Sequence, residues 1–545
     1  MEPKSPSKSK IQITGLSYKP RSRQFVIITL SIILILGVIG GYLFFKDRFF
    51  LSENMSTYFT VVLDCGSTGS RVNVYEWMIR NGSKVYGTLP LLLRIYPDNA
   101  NKSNGCRYHC MQTEPGLHNF VNNVFGVRGS IQPLIRYAEQ RVPLEKRAST
   151  PIFVLATAGM RRLVAKNANR VLAEVENVVK EHGFLYNKNW IRVLSGKEEA
   201  YYGWVALNYK TGVLESSSKK IPTLGLLDLG GSSLQVVAEM DASTKDKHAL
   251  RSKIGTFEHD IVAYSLPAFG LNEAFDRTIV MLSRTRAKRE SVGGVFEIRH
   301  PCLGSGFVKN YTFVVSRNSS NRVHEEKNEL NPVFLVGEPN WEKCGIIARA
   351  AAINSSNSES SHQLYNSNCI GLFSYGGNKK LNLTKNLHAV SRYHALSGFF
   401  AVYNALNLSR RANLTTMWEM GQNLCSGQKR INGQDCFRLP YLISLIENAL
   451  CLSDVEIIFG PGDITWTLGA SLIETEFLWL HSGKSRNGVL FLKDSITVIP
   501  STLVTFVLLL FLMIIVYSCQ VKLPMLGRKN VVAKTSYFCP KCQPN

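Results

Sequence analysis

Val61-Val62-Leu63-Asp64-Cys65-Gly66-Ser67-Thr68-Gly69-Ser70-Arg71-Val72-Asn73-Val74-Tyr75 is an apolar run ending on an acid, a turn of small hydroxylated residues, and an alternating apolar run. That order predicts strand, tight loop, strand. Glycine lets the loop backbone approach a ligand, because no Cβ intervenes. Successive N–H groups in such a turn form a nest suited to phosphate oxygens. Ser67, Thr68 and Ser70 add hydroxyl donors, and Asp64 stands where it could hold a cation bridging phosphates. Taken alone, the stretch also reads as an ordinary β-hairpin with a Gly/Ser turn.

A second stretch repeats the plan. Leu226-Leu227-Asp228-Leu229-Gly230-Gly231-Ser232-Ser233-Leu234-Gln235-Val236-Val237 is again strand, Asp, Gly/Ser turn and alternating strand. The two lie roughly 160 residues apart, a spacing suited to two domain-sized repeats. Facing each other across a cleft, two such hairpins would grip a polyphosphate from both sides. The pattern resembles the actin, sugar-kinase and Hsp70 superfamily, an α/β fold of two ribonuclease-H-like lobes with a nucleotide between them.

The ends of the chain account for part of its charge. Phe25 to Phe45 is almost wholly apolar and long enough for a membrane-spanning helix, and Lys4, Lys8, Lys10, Lys19, Arg21 and Arg23 precede it. The length of the run and the bulky Tyr42-Leu43-Phe44-Phe45 at its end favour an uncleaved anchor over a signal peptide. A second apolar run, Ile496 to Cys519, is followed by Lys522, Arg528, Lys529, Lys534 and Lys541 with no acid. The positive-inside rule puts both tails in the cytosol. The tails carry about +10 of the formal charge of +23. The basic middle suits anionic substrates, but no nucleic-acid motif is present, and nothing signals an oligomeric state.

The segment between the anchors is therefore expected to be lumenal or extracellular, in the Golgi or at the plasma membrane. Cys106, Cys110, Cys302, Cys344, Cys369, Cys425, Cys436 and Cys451 make an even set once Cys65 is set aside in its loop, which suits an oxidising compartment. Eight cysteines allow 105 connectivities, so spacing does not pair them. Asn-x-Ser/Thr acceptors such as Asn81, Asn310 and Asn413 fall only in this segment. Cys539 and Cys542 of the tail read as free or palmitoylated thiols.

Other stretches point to the same cleft. Pro151 to Leu155 reads as a buried strand running into Ala156-Thr157-Ala158-Gly159-Met160-Arg161, small residues that allow close approach to an anion. Ser195-Gly196-Lys197-Glu198-Glu199-Ala200 opens an aromatic helix, where either glutamate could simply complement the helix dipole. Tyr393 to Tyr403 is expected to open a helix with an aromatic face, and Trp466-Thr467-Leu468-Gly469 to begin a last helix.

These pieces, in this order, resemble an apyrase, a nucleoside triphosphate diphosphohydrolase of the GDA1/CD39 family, and within it the plant membrane apyrases. The resemblance runs from about Tyr58 to Ile473 and rests on Asp64–Arg71, Ala156–Arg161, Ser195–Tyr209, Asp228–Gln235, Tyr393–Phe400 and Trp466–Gly469. It implies hydrolysis of nucleoside tri- and diphosphates to the monophosphate. It implies a Ca²⁺ or Mg²⁺ ion held through water by Asp64 and Asp228, and Glu199 as proton acceptor, with Ala200 where the family has glycine. Thr157, Ser233 and Gln235 would surround the attacked phosphate. Gly66, Ser67, Thr68, Ser70, Arg71, Gly230, Gly231 and Ser232 would bind phosphate, and Phe400 and Tyr441 would sandwich the base, tolerating any base. Cys302–Cys344 and Cys425–Cys436 resemble family disulfides. Cys106–Cys110 could close a small loop, and Cys369 and Cys451 are left over.

The resulting organisation is a basic tail (1–24), an anchor (25–45), a stem (46–57), a first lobe (58–221) and a second lobe (222–475) whose final helix is expected to pack back on the first. A linker (476–495), a second span (496–519) and a basic tail (520–545) follow. Two other functions fit the same sequence: a Golgi lumenal nucleoside diphosphatase supporting glycosylation, and a catalytically silent nucleotide-binding adaptor.

Overall fold

Alternation of side chains along each strand decides which of three cores a residue enters. The computed structural model describes residues 55–80, 89–98, 111–214, 221–240, 246–255, 257–285, 296–315, 329–353, 369–373, 380–381, 387–426 and 434–479, with Gly37 and Gly41. Apart from those two glycines, the expected spans at 25–45 and 496–519, both tails and Cys106/Cys110 lie outside the described residues. Among the described residues no helix is long and apolar enough to cross a membrane.

The strands are β1 (Met55–Cys65), β2 (Ser70–Arg80), β3 (Leu91–Tyr96), β4 (Gln112–Thr113), β5 (Ile152–Ala156), β6 (Ile191–Val193), β7 (Gly225–Leu229), β8 (Ser233–Glu239), β9 (Ala249–Ile254) and β10 (Phe257–Pro267). They continue with β11 (Phe296–His300), β12 (Val308–Val315), β13 (Glu329–Gly337), β14 (Leu372–Phe373), β15 (Lys380–Leu381), β16 (Arg392–Ser397) and β17 (Glu456–Phe459). One sheet runs β3-β2-β1-β5-β6, with β4 on β2; a second runs β17-β16-β7-β8-β10-β9. Each has the same plan. An antiparallel meander (β1-β2-β3, or β7-β8-β10) is continued by two parallel strands on its first member (β5-β6, or β16-β17). β11, β13 and β12 form a satellite sheet.

On β1, Phe59, Val61 and Leu63 enter a core with the Phe125–Arg141 and Ala165–Lys180 helices, while Val62 enters a middle core. On β7, Leu226 points to that middle core, and Leu227 and Leu229 to a third. The middle core is built by two helices that cross over. The Gly196–Lys210 helix, which follows the first sheet in sequence, packs on β7, β8 and β10 of the second. The Trp466–Glu474 helix, which follows the second sheet, packs on β1 and β2 of the first. The two also pack on each other, so closely that a Cβ on Gly469 would stand 1.9 Å from the Tyr202 carbonyl.

Two expectations are corrected. Tyr393 to Ser397 is not helical: it forms β16, a parallel strand with four residues buried, and the helix begins at Gly398. Short apolar runs do not separate buried strand from helix by periodicity. Cys369 and Cys451 are not left over; they form a disulfide with Cα atoms 5.1 Å apart. Cys302–Cys344 and Cys425–Cys436 pair as the resemblance implied, and Cys65 is free and buried.

Candidate functional site

The two Asp-Gly-Ser turns close alike. The Gly66 N–H donates to the Gly69 carbonyl at 2.9 Å, and the Gly230 N–H to the Ser233 carbonyl at 2.9 Å. Asp64 stands opposite Arg71 in its hairpin, and Asp228 opposite Gln235 in the other. Glycines support each turn from behind. A Cβ on Gly116 would lie 2.6 Å from the Gly66 carbonyl oxygen, and one on Gly270 would lie 2.3 Å from the Ser232 nitrogen. The N–H groups of Leu271 and Asn272, opening a helix, donate to the carbonyls of Gly230 and Gly231 at 3.0 and 2.9 Å. That engagement satisfies the carbonyls of the turn within the protein. The turns face each other: a Cβ on Gly231 would come 3.5 Å from Ser67 Oγ and 3.6 Å from Thr68 Cγ2.

Between them is a cleft of about 280 Å³. Asp64, Gly66, Ser67, Thr68, Arg71, Thr157, Glu199, Asp228, Gly230, Gly231, Ser232, Ser233 and Gln235 all line it. Thr157 is carried there by the end of β5, with its N–H on the Cys65 carbonyl at 3.1 Å. Gln235 Nε2 donates to Ser233 Oγ at 2.8 Å.

The neighbouring glutamates diverge by about 100° around the helix. Glu198 closes a capping box with Ser195: its N–H donates to Ser195 Oγ at 3.2 Å, and its Oε2 accepts from the Ser195 N–H at 2.8 Å. Arg192 holds its other oxygen at 2.6 Å. Glu199 turns into the cleft, where Arg161 Nη2 donates to its Oε2 at 2.8 Å. Ala200 is wholly buried in the middle core.

Three buried carboxylates share this space. Burial pushes Glu199 up to about 7; Arg161 opposes the shift, and the charges of Asp64 and Asp228 add to it. Asp228 is pushed up to about 6 by burial, against a hydrogen bond from Ser397, with Asp64 adding to the rise. Asp64 is raised by burial against the pull of Arg71, whose Nη1 is 3.4 Å from its Oδ2. Two mutually repelling carboxylates on one cavity fit a divalent cation. Among the described residues no three His, Cys, Asp or Glu side chains cluster as a direct metal cage.

Three expected residues are not brought to the cleft. Ser70 lies on β2 opposite Cys65 and is fully buried. Tyr441 is buried in the third core, donating its hydroxyl to the Phe269 carbonyl at 2.6 Å and stacking on Phe437. Phe400 does not line the cleft; its ring packs beneath Gly460 and Gly462, where a Cβ on either would collide with it. Tyr441 is thus held away from the cleft, whereas the half-buried Phe400 ring backs Gly462 of the cleft wall. Asn73, Asn272, Ser397, Asp463 and Trp466 line the cleft without having been singled out as site residues. Ser397 has φ of +53°, a left-handed conformation costly for a side-chain-bearing residue and typical of functional sites. No sequence pattern signals it.

The GDA1/CD39 (nucleoside phosphatase) family profile matches residues 50–485. "Probable apyrase 7" of Arabidopsis thaliana is 35% identical over 540 residues, spanning 94% of this chain and 69% of its own. "Ectonucleoside triphosphate diphosphohydrolase 7" of Homo sapiens is 25% identical, spanning 79% of this chain and 75% of its own. Among solved structures, nucleoside triphosphate hydrolase from Neospora caninum superposes with a TM-score of 0.55 at 14% identity, over 82% of this chain and 98% of its own, a likeness of fold.

Proposed function

The chain belongs to the GDA1/CD39 (nucleoside phosphatase) family, and from that premise we propose that it hydrolyses nucleoside tri- and diphosphates to the monophosphate in the cleft, with Glu199 as proton acceptor. That the chain is a nucleotide-hydrolysing enzyme follows from the family. The residue roles rest on one observation: a buried carboxylate stands between two opposed, similarly closed Asp-Gly-Ser turns.

The turns and their hydroxyls bind the polyphosphate, and Arg71 adds positive charge beside Thr68. Thr157, Ser233 and Gln235 orient a water in line with the terminal phosphorus. Glu199, ionised above about pH 7, accepts its proton as the oxygen–phosphorus bond forms and the bridging oxygen departs with its electron pair. Asp64 and Asp228 would hold a hydrated Ca²⁺ or Mg²⁺ ion, which when bound neutralises phosphate charge.

The shared sheet plan supports two ribonuclease-H-like lobes meeting near residues 221–222. The terminal apolar runs and basic tails support a double anchor with a lumenal or extracellular active domain, at the Golgi or the plasma membrane.

The test is phosphate release from ATP, ADP, UDP and GDP by the full chain in membranes, with Mg²⁺ or Ca²⁺ and with chelator, beside Glu199→Gln. Hydrolysis of tri- and diphosphates that chelator and Glu199→Gln both abolish is the expected result. Activity on diphosphates alone would point to the glycosylation role. Nucleotide binding without release would point to an adaptor and sink the proposal.

A further inference from the structure

Adjacent glutamates on one helix turn are each claimed by a different arginine, and that division suggests what sets the orientation of Glu199. Arg192 and Ser195 hold both oxygens of Glu198 in the cap. Arg161 ends the short Ala158–Arg161 helix after β5, and its guanidinium makes two bonds in different directions. Nη1 donates to the Leu194 carbonyl at 3.1 Å, just ahead of the Glu199 helix; Nη2 donates to Glu199 Oε2 at 2.8 Å. The first bond fixes the fork against the loop before the helix, and the second fixes one carboxylate oxygen against the fork. The other oxygen, Oε1, has no protein partner among the described residues, and the residue lines the cleft. The guanidinium is only 22% exposed and the carboxylate 12%, so solvent screens the pair weakly.

We propose that Arg161 is the positioning residue of the reaction: it locks Oε2 of Glu199 so that Oε1 alone faces the attacking water, and it keeps that carboxylate charged inside the cleft. This rests on the reading of Glu199 as proton acceptor. Asp64 from β1 and Asp228 from β7 repel Glu199, and Arg161 is the protein cation that opposes them, beside any ion the two aspartates hold. Arginine suits the task because a planar fork makes two bonds at a fixed angle, which a lysine ammonium does not. Arg161 acts through Glu199 and need not touch substrate.

The experiment measures kcat, KM and the acid limb of the pH–rate profile for the full chain in membranes, for wild type, Arg161→Met, Arg161→Lys, Glu199→Gln and the double variant Arg161→Met/Glu199→Gln. Arg161→Met is expected to lower kcat by about 10²-fold with KM within about threefold. Its acid limb should move up by about 1–3 pH units as the offsetting charge is lost. Arg161→Lys should lose about tenfold in kcat while its limb moves less than one unit, because charge is kept and geometry is not. In the Glu199→Gln background the methionine should cost nothing further, since the residue it positions is already disabled. An unmoved limb in Arg161→Met, an additive loss in the double variant, or a raised KM with kcat kept would overturn the proposal; the last would make Arg161 a phosphate ligand. If Arg161→Met does not fold, Arg161→Lys decides: full kcat or a raised KM there overturns it. An active Glu199→Gln would instead sink the proton-acceptor reading itself.

Discussion

Glu199 holds its charge against the fold, and its neighbour Glu198 holds its charge for it. A carboxyl raised to about 7 from 4.5 binds more protons in the native state than in the unfolded one between those values. Its contribution to stability therefore falls as pH rises from 4.5 to 7 and stays unfavourable above. Glu199→Gln should raise stability at pH 8 by about 2 kcal/mol in urea unfolding while lowering turnover about 10²–10⁴-fold. Glu198 is held below its ordinary value by hydrogen bonds from Ser195 and Arg192 that outweigh burial. Glu198→Gln weakens a cap and an ion pair with both partners about a third exposed, so stability should fall by no more than about 1 kcal/mol and turnover stay within several-fold. The opposite pattern, a dead Glu198 variant, would move the proton acceptor by one residue. The sequence presented both glutamates as first-turn acids, and only the family resemblance chose between them. The capping box is legible in Ser195-x-x-Glu198, and it claims Glu198 for the helix N-terminus.

At the scale of elements, the glycines divide into those that keep room for ligand and those that keep helices together. Gly231, in the second turn, faces the first, and the tightest contact for an added Cβ is the movable amide end of Asn272 at 3.0 Å. Gly231→Ala should leave the melting temperature within a degree or two but raise KM for nucleotide as a methyl enters the proposed phosphate site. Gly469→Ala drives a methyl against the rigid carbonyl of Tyr202, and should cost about 1–3 kcal/mol or more. Thermal unfolding of both variants beside their steady-state kinetics checks the contrast; equal destabilisation would contradict it. The two turns were legible because Asp, Gly and Ser between alternating runs act locally. β16 and the cleft-lining Ser397 were not, because a strand buried on both faces has no period and a strained φ has no residue signature. The core position of Tyr441 was hidden for the same cause: a tyrosine is as apolar in a core as at a ligand, and sequence does not separate the two.

At the scale of the whole molecule, an ion pair near the cleft joins the two sheet systems. Arg162, next to the arginine that holds Glu199, reaches Glu273 in the first turn of the Leu271–Thr285 helix at 2.5 Å. Arg162 is half exposed, so the pair should add little to stability. Its effect should fall on approach of the two halves. Glu273→Arg is expected to raise KM several-fold through like-charge repulsion, with a melting temperature near that of wild type. Arg162→Glu/Glu273→Arg should recover most of the loss. Failure of the reversed pair to recover KM would mean that the contact is incidental. The two-sheet plan was legible from the repeat of the Asp-Gly-Ser hairpins. The ion pair was not, since nothing in either residue's neighbourhood names its partner.

The crossed helices also set a clock. Asn73, Tyr75 and Trp77 on β2 find their hydrogen-bond partners Thr467 and Ser471 only 392 to 394 residues later. At about 5–20 residues per second of synthesis, the inner face of the first sheet waits about 20–80 s for its cover. A nascent chain halted before Trp466 should stay chaperone-bound and protease-sensitive throughout that face, and become resistant in a single step once the Trp466–Glu474 segment has emerged. The enzyme thus commits to its shape late in its own translation, when the Trp466–Glu474 helix reaches the strands laid down nearly four hundred residues earlier.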